Sequence, residues 1–268
     1  MTVAVAEKPA KILDFPFTTD GGVAPRAAIG LVVLATDQTI EHEFRQVINL
    51  PGVAFYESRI YNANEITPET LRAMEGGIAD ATRLILPGQK LDVVGFGCTS
   101  ASMLLGEETV GRRIREARPG VAFTTPVTGV FAGLRALGAK RIGVLTPYTD
   151  EVNAGIRSYV EGAGGFEVAV MGSFKEGSDS VVARISPASI AAAAEALAAS
   201  TKLDAIFISC TSLRVVSYVA ELEARIGIPV TSSNHGLAWH SLRLAGVNDK
   251  LPQFGRLFAQ ALKEPPVP

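Results

Sequence analysis

The sequence predicts an α/β fold of two doubly wound parallel halves, and three observations carry that reading. Leu91-Asp92-Val93-Val94-Gly95-Phe96-Gly97-Cys98-Thr99-Ser100 is answered by Leu203-Asp204-Ala205-Ile206-Phe207-Ile208-Ser209-Cys210-Thr211-Ser212, and these stretches hold the only two cysteines of the chain. Ile142-Gly143-Val144-Leu145 repeats Ile29-Gly30-Leu31-Val32, and Thr149-Asp150 follows its strand just as Thr36-Asp37 follows the first. The interval from Asp37 to Cys98 is 61 residues and that from Asp150 to Cys210 is 60. Landmarks that recur in one order at nearly one spacing mark an internal duplication, here of a unit of about four strands with helices between them.

Residues 1 to about 27 keep no period and contain Pro9, Pro16, Pro25 and Gly21-Gly22, which predicts a partly mobile arm. Ala28 to Leu34 is an unbroken apolar run, the mark of a strand buried on both faces. Ala35 to Thr39 then turns into a helix carrying Ile40, Phe44, Val47 and Ile48 on one stripe. Val53-Ala54-Phe55-Tyr56 is a second strand, leading into a polar loop with Arg59, Tyr61, Asn62 and Asn64. Thr67-Pro68-Glu69-Thr70 predicts a helix start, with Thr67 as N-cap, Pro68 in the first helical position and Glu69 favourable to the dipole.

After the first Cys-Thr-Ser the pattern predicts a helix ending near Arg118, a strand ending at Thr125, and a helix closed by Gly138 in the left-handed conformation. The series then begins again. Ser186-Pro187-Ala188-Ser189 repeats the Thr67 cap, Ile228 to Ser232 repeats the strand ending at Thr125, and Leu242 to Gly246 repeats the helix end at Gly138.

Composition narrows the function classes. With 268 residues, 47% of them hydrophobic, and 26 glycines, the chain can bury one large core or two smaller ones. A formal net charge of -2, with Lys and Arg scattered, supplies no basic field for nucleic acid or an anionic membrane. No stretch approaches the roughly 20 apolar residues of a membrane span, and no basic region precedes an apolar run at the N-terminus, so the expected location is cytoplasmic. In that reducing compartment two cysteines at matched strand ends are expected as free thiols.

Both thiols are placed at the carboxyl edge of a buried strand, where the chain is expected to turn into a helix and where open α/β sheets bind ligands. Two like halves facing each other would make the thiols flank one cleft. A helix N-terminus lowers a thiol pKa, so Cys98 and Cys210 are expected as thiolates near neutral pH, and the same N–H groups with the hydroxyls of Thr99, Ser100, Thr211 and Ser212 suit a carboxylate. Two sulfurs on opposite faces of a carbon acid can remove a proton from one side and return it on the other, which is cofactor-free racemisation. Thiolate addition to an activated double bond, rotation and elimination would use the same pair for cis–trans isomerisation.

Other classes fit less well. An isolated buried cysteine is more often a small core residue, but a pair at repeated strand ends is not isolated. His235 and His240 are five apart, which suits neither helical spacing of a metal pair, and no metal site is expected. Ala35-Thr36-Asp37-Gln38 is not the glycine-rich turn of a nucleotide site. A two-lobed binding protein would share the cleft but needs no thiols.

The paired Cys-Thr-Ser motifs, Thr146-Pro147-Tyr148, Asp37-Gln38-Thr39-Ile40-Glu41 and Ser232-Ser233-Asn234 resemble the aspartate/glutamate racemase superfamily, in its branch of maleate cis–trans isomerases and arylmalonate decarboxylases. Thr36 to Glu41 and Ser209 to Arg214 are most similar to the ectoine-utilisation members of that branch. The resemblance runs from about Ile29 to Gly255. It implies two flavodoxin-like lobes with the active site between them, no cofactor, a small carboxylate substrate and a homodimer. It also implies that the chain crosses between lobes, giving an arm over 1–27, one lobe of 28–124 plus 232–268 and another of 125–231.

By position it makes Cys98 and Cys210 catalytic, with Asp37, Gln38, Thr99, Ser100, Tyr148, Asn153, Thr211 and Ser212 binding substrate. Where the isomerases resemble Ser-Asn after the first strand this chain has Thr36-Asp37, and an ionised Asp beside a dianion is repulsive. A carboxylate there resembles the amino-acid racemases, where it would pair with a substrate ammonium or help activate Cys98. The arylmalonate decarboxylases keep only one of the two cysteines, so the pair argues against that reaction.

Overall fold

Alternate residues of the first strand point to opposite faces, and both faces are apolar. Ile29, Leu31 and Val33 pack on one side with Phe44, Leu237 and Trp239, while Val32 and Leu34 pack on the other with Ile78, Ile85 and Ile114. This period of two with no polar face forces helices onto both sides of the sheet. The computed structural model describes residues 12–63, 65 and 67–263, so the first eleven residues of the predicted arm, and Asn64 of the polar loop, lie outside the described residues. From residue 12 to Pro25 the arm has no strand or helix, and Ile12, Phe15 and Phe17 are exposed.

The first half runs β1 (Ala27–Leu34), α1 (Ile40–Val47), β2 (Val53–Ile60), α2 (Pro68–Ala73), α3 (Ile78–Leu84), β3 (Val93–Gly97), α4 (Thr99–Leu105), α5 (Glu107–Ala117), β4 (Ala122–Thr124) and α6 (Pro126–Leu137). The second runs β5 (Arg141–Thr146), α7 (Asp150–Gly162), β6 (Glu167–Ser173), α8 (Asp179–Val182), α9 (Pro187–Ser200), β7 (Ala205–Ile208), α10 (Val219–Ile226), β8 (Val230–Ser232) and α11 (Ser233–Leu244).

Each half forms a four-stranded parallel sheet, ordered β2-β1-β3-β4 in the first and β6-β5-β7-β8 in the second. The two orders are the same, as a duplication requires. In each sheet the chain leaves its first strand toward one edge and returns to add the third strand on the other side. The crevice outside that switch point is where open α/β sheets bind ligands. Cys98 and Cys210 follow β3 and β7, and the Asp37 and Tyr148 loops follow β1 and β5, so all four lie at a switch point.

The predicted caps are present: Thr67 and Thr70 form a reciprocal capping box, Ser186 Oγ accepts from Ser189 N, and Gly138 ends α6 at φ 76°. Two expectations are corrected. The single helix after Cys98 is broken at Gly106, where φ 82° stops α4 and α5 starts afresh. Cys210 does not start a helix; Thr211 to Leu213 form a turn, a short 3-10 segment covers Val216–Tyr218, and α10 begins only at Val219.

Two equivalent helices, α6 and α11, meet where the halves join. Gly129 and Gly236 each stand four residues after the capping Thr125 or Ser232, and they face each other. A Cβ on Gly129 would lie 2.5 Å from the Gly236 carbonyl oxygen, and one on Gly236 would lie 2.8 Å from Val130 N. The helices therefore touch backbone to backbone, and α11 also packs against β3, β4 and α1 of the first half.

Candidate active site

The apolar strand β3 carries the chain into the core and releases it at Gly97, where any side chain would collide with Ile40 and the Val32 carbonyl. Cys98 then caps α4: its carbonyl accepts from Ser102 N at 3.1 Å and Ser102 Oγ at 2.5 Å. Its Sγ lies 3.8 Å from Ser100 Oγ. Cys210 N donates to Ser233 Oγ at 3.0 Å, and Cys210 Sγ receives Ser212 N at 3.4 Å. Ser233 Oγ also accepts from Thr99 Oγ1 at 2.8 Å, so a single hydroxyl at the start of α11 joins both Cys-Thr-Ser motifs.

Cys98 and Cys210 line one cavity of about 30 Å³, together with Tyr148, Thr99, Ser100 and Thr211. A space of about 10–15 Å³ already holds a water, so the room beside both sulfurs suits a small molecule. Beside the cavity Glu65, after β2, pairs with Ser178, after β6, as an isolated antiparallel bridge.

Burial sets the thiol chemistry. Both cysteines are 4% exposed and free. Desolvation pushes Cys98 up to about 11, against the weaker opposing pull of the Ala101 N–H and the Ser100 hydroxyl, while Asp179 and Asp37 add like charge. Cys210 is pushed up to about 12, by burial first and then by Asp179, with the Tyr148 hydroxyl and the Ser212 N–H pulling the other way. The expected neutral-pH thiolates are thereby corrected. A dipole contributes about 0.3–1 kcal/mol, under one pKa unit, whereas full burial shifts a group by up to about 3–5 units. At Cys210 there is in addition no helix to supply one.

The other expected residues divide into those that face the cavity and those that build it. Tyr148 is buried against the Cys210 thiol, and burial with that neighbour raises its phenol well above the ordinary value. Asn153 does not line the cavity; its Nδ2 donates to the Tyr148 carbonyl at 2.9 Å and its Oδ1 accepts from Thr146 Oγ1, which fixes the Tyr148 loop. Ser212 turns its hydroxyl to Asp179 Oδ1 at 2.6 Å. Gln38 is exposed and away from the cavity, because the turn after β1 points it outward.

Asp37 lies just behind the cavity wall. Its Oδ1 accepts from Thr39 N and Ile40 N at 2.7 and 2.8 Å, tying down the start of α1. Its Oδ2 makes no hydrogen bond of ordinary geometry, although the Thr211 hydroxyl lies against it. Burial raises this carboxyl to about 6.

Glu43 and Asp179 were not singled out by the sequence reading. Glu43 stands on the apolar stripe of α1, buried, with Oε1 accepting from Val215 N and Val216 N and Oε2 from Asn234 Nδ2 at 2.7 Å. It ties α1 to the loop after Cys210, and burial raises it to about 7. A charged residue three after Ile40 and four before Val47 was the available signal. Asp179 lines the cavity from the start of α8, a position that no strand-end motif marks.

Two parallel α/β lobes with thiols at matched strand ends have the Asp/Glu racemase-like architecture. The chain belongs to the arylmalonate decarboxylase family, whose model matches residues 29–258. It is 32% identical to an arylmalonate decarboxylase of Bordetella bronchiseptica over 79% of this chain and 88% of that one. It is 28% identical to a maleate isomerase of Nocardia farcinica over 87% and 95%. A crystal structure of the Nocardia farcinica maleate cis–trans isomerase, a Cys-to-Ser variant with a covalently bound succinylcysteine intermediate, superposes with a TM-score of 0.78 at 26% identity, covering 87% of this chain and 98% of that one. Among the described residues no helix is long and apolar enough to cross a membrane.

Proposed function

We propose that this protein is a cofactor-independent isomerase in which Cys98 and Cys210 act as a pair on a small carboxylate. The observation that carries the reading is the shared cavity: two buried free thiols, from equivalent strands of two lobes, line one space beside the Thr99, Ser100 and Thr211 hydroxyls. The hydroxyls and the N–H groups of α4 hold the carboxylate, and the thiols stand on its two sides. Because burial raises both thiols well above neutrality, the reacting sulfur gives up its proton only as substrate enters. The chain works as a homodimer in this reading.

The maleate isomerases among the relatives support cis–trans isomerisation: the Cys98 sulfur adds to one carbon of the double bond of a maleate-like substrate as the thiol proton goes to the other, the resulting single bond rotates, and loss of that proton with elimination of sulfur releases the product and restores the thiol. The acidic neighbours Asp37 and Asp179 favour a second form, in which one thiolate takes the α-proton of an amino-acid derivative and the other thiol returns one to the opposite face. The likeness of Thr36 to Glu41 and Ser209 to Arg214 to ectoine-utilisation proteins supports placing that derivative in ectoine or hydroxyectoine catabolism.

Proton NMR in D2O with maleate, arylmalonates and a panel of small amino-acid derivatives separates the forms. A shift of the vinyl signal marks isomerisation, α-deuteration with loss of optical rotation marks racemisation, and loss of a carboxyl group marks decarboxylation. No change with any of them would overturn the proposal.

A further inference from the structure

The cavity holds a carboxylate whose role the paired thiols do not explain. Asp179 is delivered by the loop after β6, which is held down where Phe174 N and Glu176 N donate to the carbonyls of Thr146 and Pro147 at 3.0 and 2.6 Å. Asp179 Oδ2 accepts from Thr36 Oγ1 at 2.8 Å and Oδ1 from Ser212 Oγ at 2.6 Å, one donor from each lobe. Thr36 is itself oriented by Asn62, whose Nδ2 donates to Thr36 Oγ1 at 2.8 Å. These donors are all neutral. A carboxylate offers about four acceptor positions and two are filled by these hydroxyls, so acceptor capacity is left over.

The charge around the cavity is of one sign. Among the described residues its charged lining is Asp179 and Glu65, with no Lys, Arg or His. Behind the wall, Asp37 is 3% exposed and its Oδ2 has only the Thr211 hydroxyl against it, so a second acidic group stands behind the same wall. A dianion placed here would meet like charge at close range, with no cation in the lining to offset it. A positive group would instead complete the hydrogen bonding of Asp179. It would also screen a charge that acts on both sulfurs, and so ease their ionisation when substrate arrives.

We infer that Asp179 is the counter-ion for a cationic group of the substrate, so that the cavity selects a small zwitterion carrying a carboxylate and an ammonium or amidinium over a dicarboxylate. The inference rests on this cavity being the reaction site proposed above. The carboxylate end lies toward Thr99, Ser100 and α4, the cationic end toward Asp179, and the carbon between them lies between Cys98 and Cys210.

The test compares two probes on one carbon chain, succinate and 3-aminopropionate, which differ in a carboxylate replaced by an ammonium. Each is titrated into the full chain carrying 13Cβ-labelled cysteine, with the two cysteine signals as the readout. The wild type is expected to bind 3-aminopropionate about tenfold or more tightly than succinate. Asp179→Asn should bring the ratio to about unity or invert it, while Asp179→Glu keeps its sign. A purely structural Asp179 would weaken both probes alike and leave the ratio unchanged. Equal binding or a succinate preference in the wild type, binding of neither probe, or an unchanged ratio in Asp179→Asn would overturn the inference. Should the Asn variant not fold, the wild-type ratio decides alone. Failure of the isomerase proposal would appear elsewhere, as absent turnover across the substrate panel with the probe ratio intact.

Discussion

The free thiols should titrate far above neutrality, and the size of the effect follows from their burial. An ordinary thiol of pKa 9.0 is about one-tenth ionised at pH 8. Cys98 at about 11 is then about 10⁻³ ionised, and Cys210 at about 12 about 10⁻⁴, which are factors of about 100 and 1000 below the ordinary thiol. Cys98→Ser and Cys210→Ser each leave one thiol in the chain, so the two titrate separately. With 13Cβ-labelled cysteine, each variant should show no shift of its signal between pH 6 and pH 9. Tyr148→Phe removes a hydroxyl that favours the Cys210 thiolate, and should raise the Cys210 midpoint while leaving Cys98 unmoved. A midpoint below pH 9 for either sulfur would refute the argument that desolvation outweighs the helix end, and would restore the expectation of neutral-pH thiolates.

Stability should vary little between about pH 5 and 6.5, because opposed titrations overlap there. Glu43 keeps its proton to about 7 when folded but to 4.5 when unfolded, and Asp37 to about 6 against 3.8, so their contribution is full at low pH and lost as pH rises. His235 and His240, pushed by burial down to about 4 from 6.5, contribute fully above 6.5 and lose that contribution as pH falls. Urea midpoints rising steeply and steadily from pH 5 to 7 would contradict the raised carboxyls. Gly236→Ala should destabilise by about 1–3 kcal/mol or more through overpacking at α6, whereas Gly155→Ala, with open space at its Cβ, should be neutral or stabilising by the same urea assay. Cys210→Ser should retain slow one-faced proton exchange or trap a covalent adduct in mass spectra, while Cys98→Ser should do neither, and identical behaviour of the two would refute their asymmetry.

The architecture was legible in the sequence because it is repeated. A buried parallel strand needs an unbroken apolar run, and the matching runs at Ile29 and Ile142, and at Leu91 and Leu203, fixed both sheets and the edge where the thiols emerge. What periodicity could not report was the competition between terms at one point. The thiols occupy helix-start positions by pattern, yet their ionisation is set by how much water the surrounding lobes exclude, which depends on contacts between halves distant in sequence. The same limit hid Asp179, since the first residue of a four-residue helix gains meaning only from the Thr36 and Ser212 hydroxyls that close on it from two lobes.

The duplication explains why the scaffold is symmetric and the site is not. Strand order, N-caps and the Gly129–Gly236 contact are paired features, because each half must bury the same surfaces and meet its copy across the same junction. The loops that follow the strands carry no such constraint, and there the halves diverge. The first places Cys98 on a helix, whereas the second places Cys210 on a turn held by Ser212 N and faced by Tyr148. A symmetric pair of thiols would have no preferred direction for moving a proton, whereas two sulfurs with different donors and different distance from neutrality give substrate entering from either hand a different first step. The loops at the switch point, rather than the repeated core, are therefore where a change of reaction in this family can be made without disturbing the fold.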